Sequence, residues 1–247
     1  MAPSKGNCYL CGKTFGKTAI KNHIVKEHGN SGEDSVLLKV EGLYNKSYWL
    51  YLDMPKSGKL AGLDGFLRDI WLECCGHMSE FYLGRYNTIG KNTQIGRLGV
   101  GGGILYDYDM GSTTHLVVTP VAAIKRPESY GENIRLIARN VPPESSCAVC
   151  GGPAAYMCME CMYDFDGNAH LCDEHMETHE HDECMPISNS PRSGVCGYMG
   201  DSSYDFTGDT EKDTKTSNVK VIVGALGDED EDEDDYDDDE DDDGYIF

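Results

Sequence analysis

The sequence predicts an α+β protein whose two flanks are organised by metal and whose last residues form an acidic tail. Three observations carry this. Residues 35–140 alternate strand-like apolar runs around one amphipathic helix pattern. Cysteines and histidines recur in pairs on both sides of that region. Residues 228–243, "DEDEDEDDYDDDEDDD", hold 15 acidic groups. Four segments follow: 1–29, then 35–140 after the hinge "GNSGED", then 144–200, and 201–247.

The first segment contains "CYLCGKTFGKTAIKNHIVKEH". Gly-Lys-Thr occurs twice, but a phosphate-cradling loop also needs a glycine five positions before the second glycine. Those positions are Asn7 and Cys11, and no apolar strand precedes either. The metal pattern is complete: Cys8 and Cys11, then His23 and His28, in the spacing C-x2-C-x11-H-x4-H. Two thiolates and two imidazoles suit a tetrahedral zinc ion. Phe15 and Ile20 lie between the pairs, where a small ββα unit needs its minimal core. The stretch resembles a C2H2 zinc finger, and the resemblance implies a helix able to meet DNA. Lys13, Lys17, Lys21 and Lys26 would supply phosphate contacts, which position without reading sequence.

In the second segment, "VLLKVEGLY" and "YWLYLDM" read as strands rich in β-branched and aromatic residues. "KLAGLDGFLRDIWLECCG" reads as a helix, because Leu60, Leu63, Phe66, Leu67, Ile70 and Trp71 fall on one face. "SEFYLG", "ILYDYDM", "THLVVTPVAAI" and "IRLIARN" read as further strands, and "GVGGG" as a turn. Short connections imply an antiparallel sheet with the helix on one face.

Several stretches of this segment carry a family likeness. "LLKVEGL", "FLRDIWLECCGHMSEFYLG" and "YDYDMGSTTHLVV", with the later "MPISNSPRSGVCGYMG", resemble the plasmid ORF-3-like family, found also as passenger proteins of insertion elements. The resemblance covers about residues 35–200 and implies fold and zinc content more than an activity. His77, Asp107, Asp109 and His115 are the acid–base candidates here. Asp107 and Asp109 are two apart on an expected strand and should share a face, and the reading favoured is a solvated strand face beside Gly111. Cys74, Cys75 and His77 could hold metal, but adjacent cysteines at a helix end rarely both ligate one ion, and the reading favoured is buried structural thiols.

The third segment carries "CAVCGGPAAYMCMECMYDFDGNAHLCDEHMETHEH". Its pairs are Cys147/Cys150, Cys158/Cys161 and Cys172/His175, followed by His179 and His181. The order resembles a B-box-like cross-brace. That resemblance implies one site from Cys147, Cys150, Cys172 and His175, and a second from Cys158, Cys161, His179 and His181. His170 and Cys184 stay open as alternatives for the last ligands.

Net charge is −22; without residues 228–243 it is 28 acids against 21 bases, or −7. The acidic run lacks the apolar residues to offset ordering entropy and is expected to be disordered. With the closing "GYIF" it resembles tails of single-strand DNA-binding proteins, which implies contact with basic surfaces. "VKVIVGAL", just before the run, is an edge strand or a linker. There is no 18-residue apolar run, and "MAPSKGNCYL" lacks the features of a secretory signal. A cytoplasmic setting is expected, where eleven cysteines in CxxC-type pairs point to metal rather than disulfides. The expected function is a non-enzymatic binding protein with about three structural zinc ions. Its partner would be nucleic acid, DNA before RNA, or a protein, and not a membrane. The less favoured reading is an enzyme using Asp107, Asp109 and His115.

Overall fold

The computed structural model describes residues 4–210, apart from 30, 31, 33, 85–86, 127–132 and 164–168. The acidic run and "VKVIVGAL" therefore lie outside the described residues. The chain begins with strands β1 (Lys5–Cys8) and β2 (Thr14–Gly16) and helix α1 (Lys17–His23), which widens into a π-turn at Ile24–His28. Strands β3 (Ser35–Gly42) and β4 (Trp49–Pro55) precede helix α2 (Leu60–Leu67), which also ends in a π-turn, at Arg68–Leu72. Strands β5 (Ser79–Leu83), β6 (Asn87–Ile89), β7 (Ile104–Tyr108), β8 (Thr114–Ile124) and β9 (Arg135–Asn140) complete the central unit. A smaller unit follows: β10 (Tyr156–Cys158), α3 (Met159–Tyr163), β11 (His170–Leu171), α4 (Asp173–Glu177) and β12 (Cys184–Pro186).

The central strands form one nine-stranded sheet in the order β2-β1-β9-β4-β3-β8-β7-β5-β6. Every neighbouring pair runs antiparallel, as the short connections predict for an α+β fold. The first segment is knit into this sheet: Gly6, Asn7 and Cys8 of β1 pair with Asn140, Arg139 and Ala138 of β9.

Side chains on a strand alternate between faces, and here both faces are covered. Val36, Leu38, Val40, Leu50, Leu52 and Met54 share a core with Leu60, Leu63, Phe66, Leu67, Ile70 and Trp71 of the α2 helix and its π-turn. The intervening Leu37, Trp49 and Tyr51 pack on the opposite face against Ile20 and Ile24. The run Trp49–Leu50–Tyr51–Leu52 is continuously apolar because β4 is buried on both sides. The sequence led us to expect a helix on one face; α1 covers the other.

Two local features make this packing possible. At Gly6 a Cβ would lie 2.2 Å from the Trp49 ring and 2.4 Å from the Arg139 carbonyl oxygen, so only glycine lets β1 pass over Trp49. Pro120 sits inside β8 opposite β3, two residues past Val118, the last residue paired with β7, and a proline within a strand ordinarily breaks the ladder. The register shifts there, Leu37 opposing Ala122 and Leu38 opposing Pro120, so the extra residue Val121 forms a bulge that accommodates the missing N–H.

On α2, Asp64 accepts hydrogen bonds from Ser79 Oγ (2.6 Å), Tyr106 OH (2.7 Å) and Lys91 Nζ (3.0 Å). Burial pushes this carboxyl up, but donation from Ser79, Tyr106 and Lys91 outweighs it and holds the group below the ordinary carboxylate range. A carboxyl depressed in the folded state adds stability above its unfolded value of about 3.9, and loses it as pH falls through the folded value. Asp64→Asn is therefore expected to cost about 1–3 kcal/mol at pH 7. That difference from the parent should shrink as the pH drops below about 4. Urea denaturation across pH checks this; a difference independent of pH would contradict it.

The segment after β12 returns to the central unit. Trp71 Nε1 donates to the Asn189 carbonyl (3.0 Å), and Ser190 Oγ donates to the Trp71 carbonyl (2.6 Å). Asn189 and Asn140 exchange side-chain hydrogen bonds, and the Phe206 and Tyr9 rings meet at 5.4 Å. Arg192 is fully buried. Its Nη2 donates to Asp109 at 2.7 Å and its Nη1 to Thr114 Oγ1 at 3.0 Å. Among the described residues, no helix is long and apolar enough to cross a membrane.

Candidate metal centres

Ten of the eleven cysteines and six of the eight histidines gather into four sets of four. In each set the ligand atoms lie within 4.8 Å of one another, so each could hold a metal ion. No cysteine is in a disulfide.

The N-terminal set is Cys8, Cys11, His23 and His28. Its thiols come from a tight knuckle between β1 and β2. The Gly12 N–H donates to the Cys8 carbonyl (2.8 Å), the Cys8 N–H donates to the Lys13 carbonyl (2.9 Å), and Gly12 takes φ 72°. In a uniform α-helix, residues five apart point about 140° from each other. The π-turn after His23 corrects this, since i→i+5 closure brings the chain back over its start. His23 Nε2 and His28 Nε2 stand 3.2 Å apart, and Cys11 Sγ is 3.2 Å from His23 Nε2. The Phe15 ring stacks on His23 at 4.3 Å. Burial pushes both histidines below their ordinary pKa, helped at His23 by Lys13 and at His28 by His23. That favours the neutral imidazole a metal needs. Burial also pushes the Cys8 thiol up to about 12; a coordinated cation would reverse this by stabilising the thiolate.

Two sets occupy the smaller unit, whose sheet has the order β11-β10-β12. Cys147, Cys150, Cys172 and His175 form one, with Cys147 Sγ 3.7 Å and Cys172 Sγ 3.1 Å from His175 Nδ1, and Cys150 Sγ 3.9 Å from Cys172 Sγ. The knuckle of the N-terminal set recurs here: the Gly151 N–H donates to Cys147, the Cys147 N–H to Gly152, and Gly151 has φ 72°. The Cys150 backbone N–H lowers the Cys147 thiol to about 6, and those of Cys172 and Val149 add to this against burial. Cys158, Cys161, His179 and His181 form the other. Cys161 Sγ is 3.2 Å from His179 Nε2 and 3.3 Å from His181 Nδ1, and Cys158 Sγ is 3.4 Å from the latter. The two sets interleave along the chain. His170 and Cys184, the two open alternatives, fall outside the four sets; their backbones lie in the small sheet, opposite Met157 and Cys158.

The fourth set is Cys74, Cys75, His77 and Cys196. The sequence favours buried thiols at Cys74 and Cys75; instead Cys74 is half-buried and Cys75 exposed, and both gather with His77 and with Cys196, which lies 121 residues beyond Cys75 and carries no local ligand spacing. The available signal was that "CCGH" and "VCGY" both fall inside the family-like stretches.

The remaining candidates divide. Asp107 bonds His115 Nδ1 at 2.7 Å. Asp109 lies beyond the end of β7 at φ 65° and bonds Arg192 instead. The two carboxylates thus serve different partners rather than one strand face. Of the four lysines, Lys13 and Lys26 are exposed and Lys21 is half-buried. Lys17 is committed to Glu41 and to the Lys46 carbonyl.

No known protein family matches the chain, and no curated protein matches it. A crystal structure of a protein of unknown function from Methanosarcina mazei Go1 is similar at 19% identity, with TM-score 0.39, over 49% of this chain and 76% of that one.

Proposed function

We propose that the chain is a non-enzymatic multi-zinc binding protein that associates with nucleic acid through residues 5–28. One observation carries the reading: the N-terminal set and the two sets of the smaller unit each offer four protein ligands. Four ligands close a tetrahedral zinc and leave no position for a reacting water, which is the mark of a structural ion. Zinc bonds of about 2.3 Å to sulfur and about 2.0 Å to nitrogen space ligand atoms about 3.3–3.8 Å apart. Eight ligand-atom separations in these sets, at 3.1–3.9 Å, are close to this, and all the others lie within 4.8 Å.

Lys13, Lys21 and Lys26 make the phosphate contacts in this reading, since Lys17 is held by the partly buried Glu41 and the Lys46 carbonyl, whereas the Lys26–Glu27 pair is exposed and easily exchanged for a phosphate. DNA is the favoured nucleic acid, in the plasmid or mobile-element setting that the family resemblance implies. Duplex DNA binding by the full chain should weaken with salt. Replacing Lys13, Lys21 and Lys26 by Gln should lower affinity and flatten the salt slope by about one unit per contact. Deleting residues 228–247 should raise affinity. Anisotropy titrations at several salt concentrations check all three, and binding indifferent to both salt and the lysines would refute the reading.

A protein–protein adaptor is the second reading. Val149 and Tyr163 stand exposed on the smaller unit, at 65% and 77%, and in this reading a partner covers them. A partner that co-purifies after nuclease treatment, and is lost on Tyr163→Ser, would favour it.

A further inference from the structure

We propose that Cys74, Cys75, His77 and Cys196 form a fourth metal centre, a closed three-thiolate, one-imidazole site for a divalent cation of the zinc class. Cys75 Sγ lies 3.1 Å from His77 Nε2, 3.4 Å from Cys196 Sγ and 3.7 Å from Cys74 Sγ, and His77 Nε2 lies 3.3 Å from Cys196 Sγ. These are the spacings of a tetrahedral shell. Binding releases the thiol protons to solvent and leaves three thiolates on the ion.

The objection from sequence is that adjacent cysteines at a helix end seldom share an ion. The structure removes it, because the helix has already ended. Its π-turn stops at Leu72, and Glu73 is extended at ψ 125°. Cys74 and Cys75 therefore sit on a bend, free of helical geometry. Gly76 follows at φ 76°, although a Cβ there would meet nothing within 4 Å. The glycine is needed for its backbone conformation, which folds His77 back onto Cys75, and not for space.

The surroundings are arranged as around a metal. His77 turns Nε2 to the sulfurs, while its Nδ1 faces the Asp109 carboxylate at 3.6 Å. A carboxylate behind the imidazole fixes the ring and its tautomer in the way metal-bound histidines are usually supported. Asp109 is itself held by Arg192 and by the N–H groups of Gly111 (3.0 Å) and Ser112 (3.2 Å). Arg192 Nη2 also reaches Cys74 Sγ at 3.4 Å. Three thiolates around a divalent ion leave one excess negative charge, and the buried guanidinium lies beside it. Finally, Cys196 holds φ 50°, unfavourable for a residue with a Cβ. That strain persists where the surroundings fix it, and here it aims Sγ at the other three ligands. The ion would join the bend after α2 to the returning segment, across a loop of more than a hundred residues.

The centre stands apart from the three of the proposed function, so the test separates them. The full chain is purified without added metal, its ions are counted by mass spectrometry, and its native thiols are capped with maleimide. Four centres give four ions and one reactive thiol, Cys184; three give three ions and four reactive thiols, with Cys74, Cys75 and Cys196 added. Cys196→Ser should lose one ion and keep the rest, and Cys184→Ser should lose none. If Cys196→Ser does not fold, the adduct count on the parent chain decides alone. Reactive Cys74, Cys75 and Cys196, or a Cys75–Cys196 disulfide, would overturn this centre while leaving the other three intact. Protection of these thiols in a chain whose other cysteines react would keep this centre and remove the others.

Discussion

Stripping the ions with a strong chelator is expected to melt residues 144–186 while the nine-stranded sheet stays folded. The smaller unit has little else to hold it. Among its described residues the buried apolar side chains are Cys147, Cys158, Ala169 and Leu171, two of them proposed ligands. Its helices are five residues each and its strands two or three, far below what is stable alone. Apparent zinc-binding energies of about 10–16 kcal/mol in small finger peptides would exceed everything else available here. The central sheet, by contrast, buries Trp49, Trp71, Phe66, Phe81, Tyr106 and Tyr108 with a full set of aliphatic side chains. Hydrogen exchange with and without chelator measures this. Slow exchange should vanish in β10–β12 and persist in β3, β4 and β8. Protection in the smaller unit that survives complete metal loss would show that coordination does not hold it. Residues 5–28 should respond less than 144–186, because Ile20 and Ile24 pack on Leu37, Trp49 and Tyr51 as well as closing a metal set.

Trp71→Ala is expected to be the most damaging single core substitution, costing about 3–5 kcal/mol. Trp71 is fully buried and carries two jobs. Its ring fills the core between α2 and the sheet, and its backbone and indole fasten Asn189 and Ser190. The Asn189 carbonyl keeps a second donor in Arg139 Nη2 at 2.6 Å, so the loss is chiefly the cavity rather than an orphaned acceptor. Trp71→Phe should recover most of the stability. Urea midpoints give the cost, and hydrogen exchange should show residues 187–206 loosening more than β3 and β4. A loss below about 1 kcal/mol, or loosening spread evenly, would rule out this fastening role.

Much of this was legible because the signals are local. Helical spacing of Leu60, Leu63, Phe66, Leu67 and Ile70 marks α2 within a dozen residues. Cx2C pairs are visible because both thiols of a knuckle lie within four positions. What stayed hidden depends on contacts between distant residues. Nothing near Gly6 announces that β1 will pair with β9, 130 residues on. The continuous apolar run of β4 did carry the information that both faces are covered, and α1, with Ile20 and Ile24, was the available cover. Cys196 was hard to join to Cys74, Cys75 and His77 because 119 residues or more separate them, and only the family-like stretches hinted at the connection. The separation of Asp107 from Asp109 was missed for another reason: β7 stops at Tyr108, so strand alternation no longer governs the second carboxylate.

The meeting of Tyr9 with Phe206 has a consequence for everything that follows residue 210. A Cβ on Gly12 would stand 3.3 Å from the Thr210 methyl, so the chain leaves the sheet beside the first knuckle and next to Lys13. Residue 228, where the acidic run begins, is only 18 positions further on. Even a fully stretched backbone of that length spans about 60 Å. On the proposed reading, covalent attachment over that length gives the run a local concentration of about a millimolar at the lysines. If the proposed reading holds, a free polyanion in solution would have to compete with that leash before it could reach Lys13, Lys21 or Lys26.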